Sequence, residues 1–306
     1  MTAALVSVVI VTYRSVDDIE RCLDSVAAWT TVAYEIVVVD NASDDGTADL
    51  VAARYPEVSL VRNDENTGFA RAVNQGAAAL TAPWLLLLNP DTELRTPAID
   101  ELVAAADRHP TSRIWGGGHR SPGGAVDRRS AWGLPSVWSL LMFATGLTTV
   151  AKGRRGFDPE SLGAWDRGDE REVPAVSGCF QLIDRSLWND LGGLDERYFM
   201  YGEDADWAAR ARAVGARPRF VPSAEIIHDL GGSSTAPQKR VMVMRGKSTF
   251  LRLRWPVLWP LGLALLQMGT LLRGPVANSV RRLGRRRTDD SWAETWRRRR
   301  EWRAGW

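Results

Sequence analysis

The sequence predicts an α/β protein: a doubly wound, Rossmann-like sheet of mostly parallel strands, followed by a helical C-terminal region. Three observations lead there. Up to Leu88, short β-branched or leucine-rich runs alternate with amphipathic stretches of helical period, the mark of parallel βαβ units. The runs are continuously apolar, as strands buried on both faces are. The residues that stop them are polar and fall at carboxyl ends, where open α/β sheets bind ligands.

Taken in order, Val6 to Thr12 (VSVVIVT) is the first strand. Ser15 is expected to cap the helix that follows, with Asp17 and Asp18 in its first turn and Ile19, Leu23 and Val26 inward. Glu35 to Val39 is the second strand and ends on Asp40. The polar turn Asn41 to Thr47 then leads into a helix through Tyr55. Val58 to Val61 is a third strand. Asn66-Thr67-Gly68-Phe69 opens a third helix with Ala70, Val73, Ala77 and Leu80 along its inner side. Trp84 to Leu88 is a fourth strand, stopped by Asn89-Pro90-Asp91. Thr12, Tyr13, Asp40, Asn89 and Asp91 should therefore converge on one crevice whose polarity suits a nucleotide. An aspartate ending a parallel strand can accept from a base N–H or a ribose hydroxyl, although Asp40 and Asp91 also fit plain turn-forming roles. The chain has neither a Walker-type loop nor GxGxxG. A carboxylate-bound divalent cation is the usual alternative for neutralising a pyrophosphate.

From Arg113 to Val173 periodicity is lost. Gly116-Gly117-Gly118 and Pro122-Gly123-Gly124 read as turns, and residues 113–173 are expected to form an insertion on the acceptor side, or a loop packed on the domain. Val173 to Ile183 returns to strand, with Ser177-Gly178 letting backbone approach a bound sugar. Between Gly192 and Ser234, Glu203, Asp204 and Asp206 follow the apolar run Tyr198 to Tyr201 and enter a helical pattern. Capping that helix would explain Asp204 and Asp206 by themselves. Three carboxylates within four positions, however, repel one another and call for a cation or a proton. His228, one of three histidines, follows in a Gly-rich exit beside Asp229.

The two cysteines, Cys22 and Cys179, fall within apolar patterns and are expected as separate buried thiols. Met1 to Tyr13 lacks the basic start of a secretory signal. The net charge of +2 conceals an asymmetry: residues 239–306 hold 17 Lys and Arg against 4 Asp and Glu, and residues 1–238 carry a net −11. An acidic body with a basic tail points to a negatively charged partner for the tail. Trp255 to Leu272 is uncharged over 18 residues, with Arg252, Arg254 and Arg273 at its flanks. Pro256 and Pro260 should confine the regular helix to residues 261–272, about 18 Å long and too short to span a bilayer. Such a helix suits the membrane interface. The acidic body offers no continuing surface for nucleic acid, so no nucleic-acid partner is expected.

The stretches VSVVIVTYRS, EIVVVDNASDDGT, NTGFARAVNQG, LLLLNPDTEL and GGLDERYFMYGEDADW, with the later His228, occur together and in order. This set resembles the family 2 inverting glycosyltransferases, in particular bacterial rhamnosyltransferases that extend lipid-linked cell-envelope glycans. The resemblance runs over roughly residues 5 to 235. It implies a GT-A type fold for residues 1–238, followed by a basic, membrane-associating region at 239–306. It implies Thr12, Tyr13 and Asp40 as nucleotide-binding positions, and Asn89-Pro90-Asp91 as the DxD motif that holds Mg²⁺ or Mn²⁺ against the diphosphate. It also implies Asp204 as catalytic base, with Glu203 beside it, and His228 as the histidine that completes the metal site. Asn89 departs from the first DxD carboxylate and brings no charge, which shifts the burden to Asp91 and His228. The implied donor is dTDP- or UDP-linked, best dTDP-L-rhamnose with a galactofuranose donor as rival. The implied acceptor is a polyprenyl-diphosphate-linked saccharide at the cytoplasmic face of the membrane. A nucleotidyltransferase would also use a strand-end carboxylate and a metal, but its Gly/Arg/Lys-rich phosphate loop is missing from the N-terminal region. A non-catalytic sugar-nucleotide-binding scaffold would need no base at Asp204.

Overall fold

The computed structural model describes residues 3–228, 236–283 and 291–306. The Gly-rich exit from Asp229 to Ser234 and the Arg285–Arg287 run lie outside them. The chain forms two compact units. One comprises Met1–Trp132, Asp166–Phe199 and Trp207–Ser233; the other comprises Gly133–Trp165, Met200–Asp206 and Ser234–Trp306.

In the first unit the strand–helix alternation is as the apolar periods require. In chain order come β1 (Val6–Thr12), α1 (Ile19–Trp29), β2 (Tyr34–Asp40), α2 (Thr47–Arg54), β3 (Ser59–Arg62), α3 (Phe69–Ala79) and β4 (Trp84–Leu88). β2, β3 and β4 extend β1 in parallel, with Thr12 level with Asp40 and Ile10 with Leu88. The expected Ser15 cap does not form. The Ser15 carbonyl accepts from the N–H groups of Asp18 and Ile19, and its hydroxyl accepts from Tyr13 N–H, so a turn precedes the helix.

Beyond β4 the sheet becomes mixed. It takes in β5 (Thr92–Leu94), β6 (Ile114–Arg120) after α4 (Ala98–Arg108), and the short β7 (Val126–Asp127); β8 (Ala131–Trp132) lies outside it. Among the described residues the main sheet runs β3-β2-β1-β4-β11-β6-β12-β5, with β9 (Arg171–Glu172), β11 (Phe180–Asp184) and β12 (Arg219–His228) supplied late in the chain. β10 (Ala175–Val176) pairs separately with β8. β11 runs antiparallel to β4 and β6, while β12 is parallel to β6. The carboxyl ends of β1, β2, β4, β6 and β12 thus share one edge.

β6 corrects the loop expected from Arg113 onward. Gly116-Gly117-Gly118 is strand interior, and its glycines are there for contact rather than for turning. A Cβ on Gly116 would lie 2.5 Å from Val176 Cβ, and one on Gly117 would lie 2.6 Å from Phe180 Cε1 and against the Ala224 carbonyl. Glycine lets these neighbours close onto the strand. The register of β12 against β6 shifts between Val221 and Glu225, where that carbonyl turns in. Cys22, Leu86, Leu102, Trp115, Phe180 and Ile226 are among the buried side chains of this core. The expected strand from Val173 to Ile183 is divided into β10 and β11 by a turn at Gly178.

The second unit is helical: α5 (Val137–Ala144), α6 (Leu147–Val150), α9 (Ala236–Arg254), α10 (Trp259–Leu283), α11 (Ser291–Arg297) and α12 (Arg299–Trp302). α7 (Arg185–Leu191) belongs to the first unit, and α8 (Glu203–Ala213) begins on residues of the second. Leu140, Val241, Met244, Leu251, Leu266 and Trp302 form the helical core. α10 corrects the short-helix expectation: it runs 25 residues from Trp259 to Leu283, with Pro275 inside it, about 37 Å. Pro260 falls in its first turn, where a missing N–H costs nothing. No helix among the described residues is long and apolar enough to cross a membrane. Two of the flanking arginines are also turned inward. Arg254 pairs with Asp206, and Arg273 stacks over Phe143 and donates to Thr148.

Candidate active site

At the ends of β1 and β2, Thr12 and Asp40 are both buried, and the Thr12 hydroxyl donates to Asp40 Oδ1 at 2.8 Å. Ser43 adds its hydroxyl to Oδ1 at 2.6 Å and its N–H to Oδ2 at 2.9 Å. Three of roughly four acceptor directions on Asp40 are therefore used within the protein, leaving one on Oδ2 for a ligand. Tyr13 is partly exposed beside it, with Arg14 over its ring. Asn41 is buried next to Asp40. It donates to Gly68 O and accepts from Asn63 and Thr67, tying three loops at the sheet edge. The β1–α1 loop is held in turn by Ser43, Thr47 and Asp45, which accept from the N–H groups of Arg14, Ser15 and Val16. Gly68 needs its left-handed φ of 86° and its bareness, because a Cβ would meet the Phe199 carbonyl at 2.6 Å.

At the end of β4, Asn89 donates its backbone N–H to Cys179 O at 2.9 Å, which places the Gly178–Cys179 turn against the Asn89-Pro90-Asp91 corner. Thr92 fastens the corner by donating to Asn89 O. Asp91 Oδ2 lies 3.3 Å from His228 Nε2, while Asp91 Oδ1 is buried without a hydrogen-bond partner. The sequence-predicted pair Asp91 and His228 is thus brought together across the β5–β12 ladder, where His228 faces Thr92. On its other side His228 Nδ1 is 3.9 Å from Cys179 Sγ, which is 3.4 Å from His119 Nε2. Burial opposes charge on His228, but hydrogen bonds to Asp91 and Cys179 prevail and push it up to about 10. Burial likewise opposes a thiolate at Cys179, and the neighbouring imidazoles bring it down to about 6. Cys22, buried without such neighbours, is pushed up to about 12.

The carboxylates at the start of α8 divide into three states. Asp206 is fully buried and forms an ion pair with Arg254. Glu203 is buried, its Oε2 has no partner, and burial followed by the charges of Asp204 and Asp206 raises it to about 8. Asp204 is half-buried and accepts from Ala205 N–H at 2.7 Å. The Arg254 guanidinium and the raised pKa of Glu203 both relieve the repulsion within the group.

Sequence reasoning missed Asn41, Asn63, Thr67 and His119. Asn41 and Thr67 had a signal in the paired NAS and NTG turns, whose short polar side chains bond locally, while Asn63 had none. His119 was hidden by the reading of its glycine neighbours as a turn.

Comparison with known proteins fits this geometry. Residues 7–162 match the sequence profile described as Glycosyl transferase family 2. The chain is 32% identical over 302 residues, covering 90% of its own length and 95% of the relative's, to an N-acetylglucosaminyl-diphospho-decaprenol L-rhamnosyltransferase of Mycobacterium tuberculosis. A shorter match of 37% identity covers 33% of the chain and 30% of the succinoglycan biosynthesis protein ExoO of Rhizobium meliloti. The fold is shared with the mannosyltransferase PcManGT from Pyrobaculum calidifontis, solved with GDP-Man and Mn²⁺: TM-score 0.57, 19% identity, 95% of this chain and 79% of that one. It is shared too with S. aureus TarS 1-349 in complex with UDP: TM-score 0.54, 16% identity, 92% of this chain and 72% of that one. These are GT-A type folds, and with a matching profile over half its length and a full-length relative, the chain is a glycosyltransferase that belongs to glycosyl transferase family 2.

Proposed function

We propose that the protein transfers L-rhamnose from dTDP-L-rhamnose, with inversion, to a polyprenyl-diphosphate-linked saccharide at the cytoplasmic face of the membrane. Donor and acceptor rest on the full-length similarity to the mycobacterial rhamnosyltransferase. The observation that carries the site is the buried, partnerless Oδ1 of Asp91, next to His228 at the ligand-binding edge of the sheet. A buried carboxylate oxygen without a donor calls for a proton, a water or a cation, and the strand-end place of Asp91 beside an imidazole favours the cation. The donor set, one carboxylate and one imidazole with the neutral Asn89 amide nearby, fits Mn²⁺ or Mg²⁺ completed by diphosphate and water. Asp91 and His228 would hold this ion, which when bound would neutralise charge developing on the leaving diphosphate.

Thr12, Tyr13, Asp40 and Gly178 line the remaining donor-side positions. Asp40 has a single acceptor direction free for a base or ribose donor, and Asn41 keeps its loop in place. Asp204 would accept the proton of the acceptor hydroxyl as it attacks the anomeric carbon in line with the departing nucleotide. Glu203, neutral at pH 7, cannot serve as base in that state.

The membrane reading rests on α10 and the turn before it. Val257, Leu258, Leu261, Met268, Leu271 and Leu272 are exposed, at three- and four-residue steps along one helix face. Such a face suits the headgroup boundary, assisted by the basic tail.

The test is transfer from a panel including dTDP-L-rhamnose and UDP-galactofuranose to a short-chain polyprenyl-diphosphate GlcNAc. Rhamnose should be transferred with inversion. Transfer of galactofuranose alone would overturn the donor assignment, and hydrolysis of dTDP-L-rhamnose without transfer would overturn the acceptor.

A further inference from the structure

We infer a second cation site, for a thiophilic divalent ion of the Zn²⁺ class, built by His119, Cys179 and His228. It goes beyond the sugar-transfer reading and does not depend on it. The three side chains come from two strands and a turn. His119 lies on β6 level with Ile226, Cys179 lies in the turn that enters β11, and His228 ends β12. The ladders between these strands fix the backbone under each side chain, so the group is held by the sheet rather than by a loose loop.

The distances suit a small ion. Cys179 Sγ is 3.4 Å from His119 Nε2 and 3.9 Å from His228 Nδ1, and the ligand atoms lie within 4.8 Å of one another. A tetrahedral Zn²⁺ with ordinary Zn–S and Zn–N bonds sets its sulfur about 3.6 Å from each nitrogen. The sulfur distances need shifts of a few tenths of an ångström, and the two nitrogens, now within 4.8 Å, would draw together to about 3.3 Å by side-chain rotation. The imidazole planes are nearly perpendicular at 84°, with ring centres 5.6 Å apart, so the rings are not stacked on one another. Three protein ligands would leave one position for water or an incoming group.

A second observation points the same way. A metal-bound histidine usually gives its other N–H to a carboxylate, which fixes its orientation. With Nδ1 toward Cys179, His228 presents Nε2 to Asp91 Oδ2 at 3.3 Å. His228 cannot donate that N–H and hold the oxygen-site ion through Nε2 at once, so the two ions would take the shared imidazole in alternation, with Asp91 orienting His228 when the thiolate site is filled. The ligand chemistry separates the two: thiolate with two imidazoles selects Zn²⁺, Co²⁺ or similar ions, whereas Mg²⁺ prefers oxygen. Cys22 is no part of the group, since its sulfur lies at the carbonyl of Asn89 and the hydroxyl of Thr92.

The experiment titrates the full-length, metal-stripped protein with Co²⁺ under a non-thiol reductant and follows near-ultraviolet thiolate-to-cobalt charge transfer. One equivalent should give the band, and Zn²⁺ should abolish it. Cys179→Ala and Cys179→Ser should lose the band, His119→Ala should lose or weaken it, and Cys22→Ala should keep it, with folding checked by circular dichroism. If Cys179→Ala does not fold, the size-matched Cys179→Ser gives the same reading. Absence of the band in the folded parent, its survival in both Cys179 variants, or its loss only in Cys22→Ala would overturn the site. Failure of rhamnose transfer leaves these spectra unaffected, so the two readings fail separately.

Discussion

Replacing Glu203 by glutamine isolates the proton that the α8 carboxylates share. The group lies near 4.5 when unperturbed and is raised to about 8 in the folded chain, by burial and then by Asp204 and Asp206. Between these values the folded chain holds a proton that the unfolded chain has released. Stability must therefore fall as pH rises through this window. Each unit of difference is worth about 1.4 kcal/mol, and since the folded group is half ionised at pH 8, it should cost roughly 2 kcal/mol between pH 6 and 8. Glutamine keeps the shape and cannot ionise. Urea unfolding of parent and Glu203→Gln at several pH values should show the variant gaining on the parent by about that amount, since titrating groups away from α8 cancel in the comparison. At pH 7 the variant should retain sugar transfer, because Glu203 is neutral there already. Parallel stability curves would refute the buried proton, and a folded but inactive variant would move the base to Glu203.

Four further outcomes follow from the geometry. Asp204→Asn should keep dTDP binding in calorimetry and lose roughly 10²- to 10⁴-fold in transfer; near-normal turnover would exclude it as base. Asp91→Ala and His228→Ala should each weaken Mn²⁺ and dTDP binding together, since the two ligands bind as a unit; unchanged titrations would count against a shared site. Gly117→Ala should destabilise by about 3 kcal/mol or more, because its methyl meets the Ala224 carbonyl and the Phe180 ring, and an unchanged unfolding midpoint would contradict that packing. Leu261→Asp with Met268→Asp, both at exposed positions, should reduce flotation with anionic liposomes while leaving the fold intact; equal flotation would remove the membrane role of α10.

The parallel half of the sheet was legible because each strand is buried on both faces, so composition alone marks it. Thr12, Asp40, Asn89 and Asp91 followed from the rule that ligands gather at carboxyl ends. The antiparallel half was not legible. β6 is threaded by glycines that serve neighbours more than a hundred residues away in one case, Ala224, and only the fold reveals that use. The fate of Asp206 was equally hidden, since local sequence showed three carboxylates but not the guanidinium that Arg254 brings from 48 residues further on. α10 starts after Pro256 with Pro260 in its first turn, and it continues past the expected end at residue 272 through Pro275 to Leu283.

That distant ion pair has a consequence for how the chain is made. Synthesis proceeds from Val6 toward Trp306, so the α8 segment leaves the ribosome before its counterion exists. At about 5–20 residues per second, the gap of 48 residues leaves Asp206 waiting about 2 to 10 seconds for Arg254. During that time Asp206 lacks the Arg254 ion pair, and breaking a buried pair costs about 3–5 kcal/mol. The α8 start should therefore settle late, after the sheet strands that precede it. Ribosome-stalled chains ending at residue 250 should be cut by protease near residues 200–206, and chains long enough to present Arg254 should be protected there. Equal protection at both lengths would show that the segment closes without its arginine. A shortened chain that omits residues 239–306 would remove the Arg254 ion pair from Asp206 permanently, so this region bears on the carboxylate helix as well as on the proposed membrane contact.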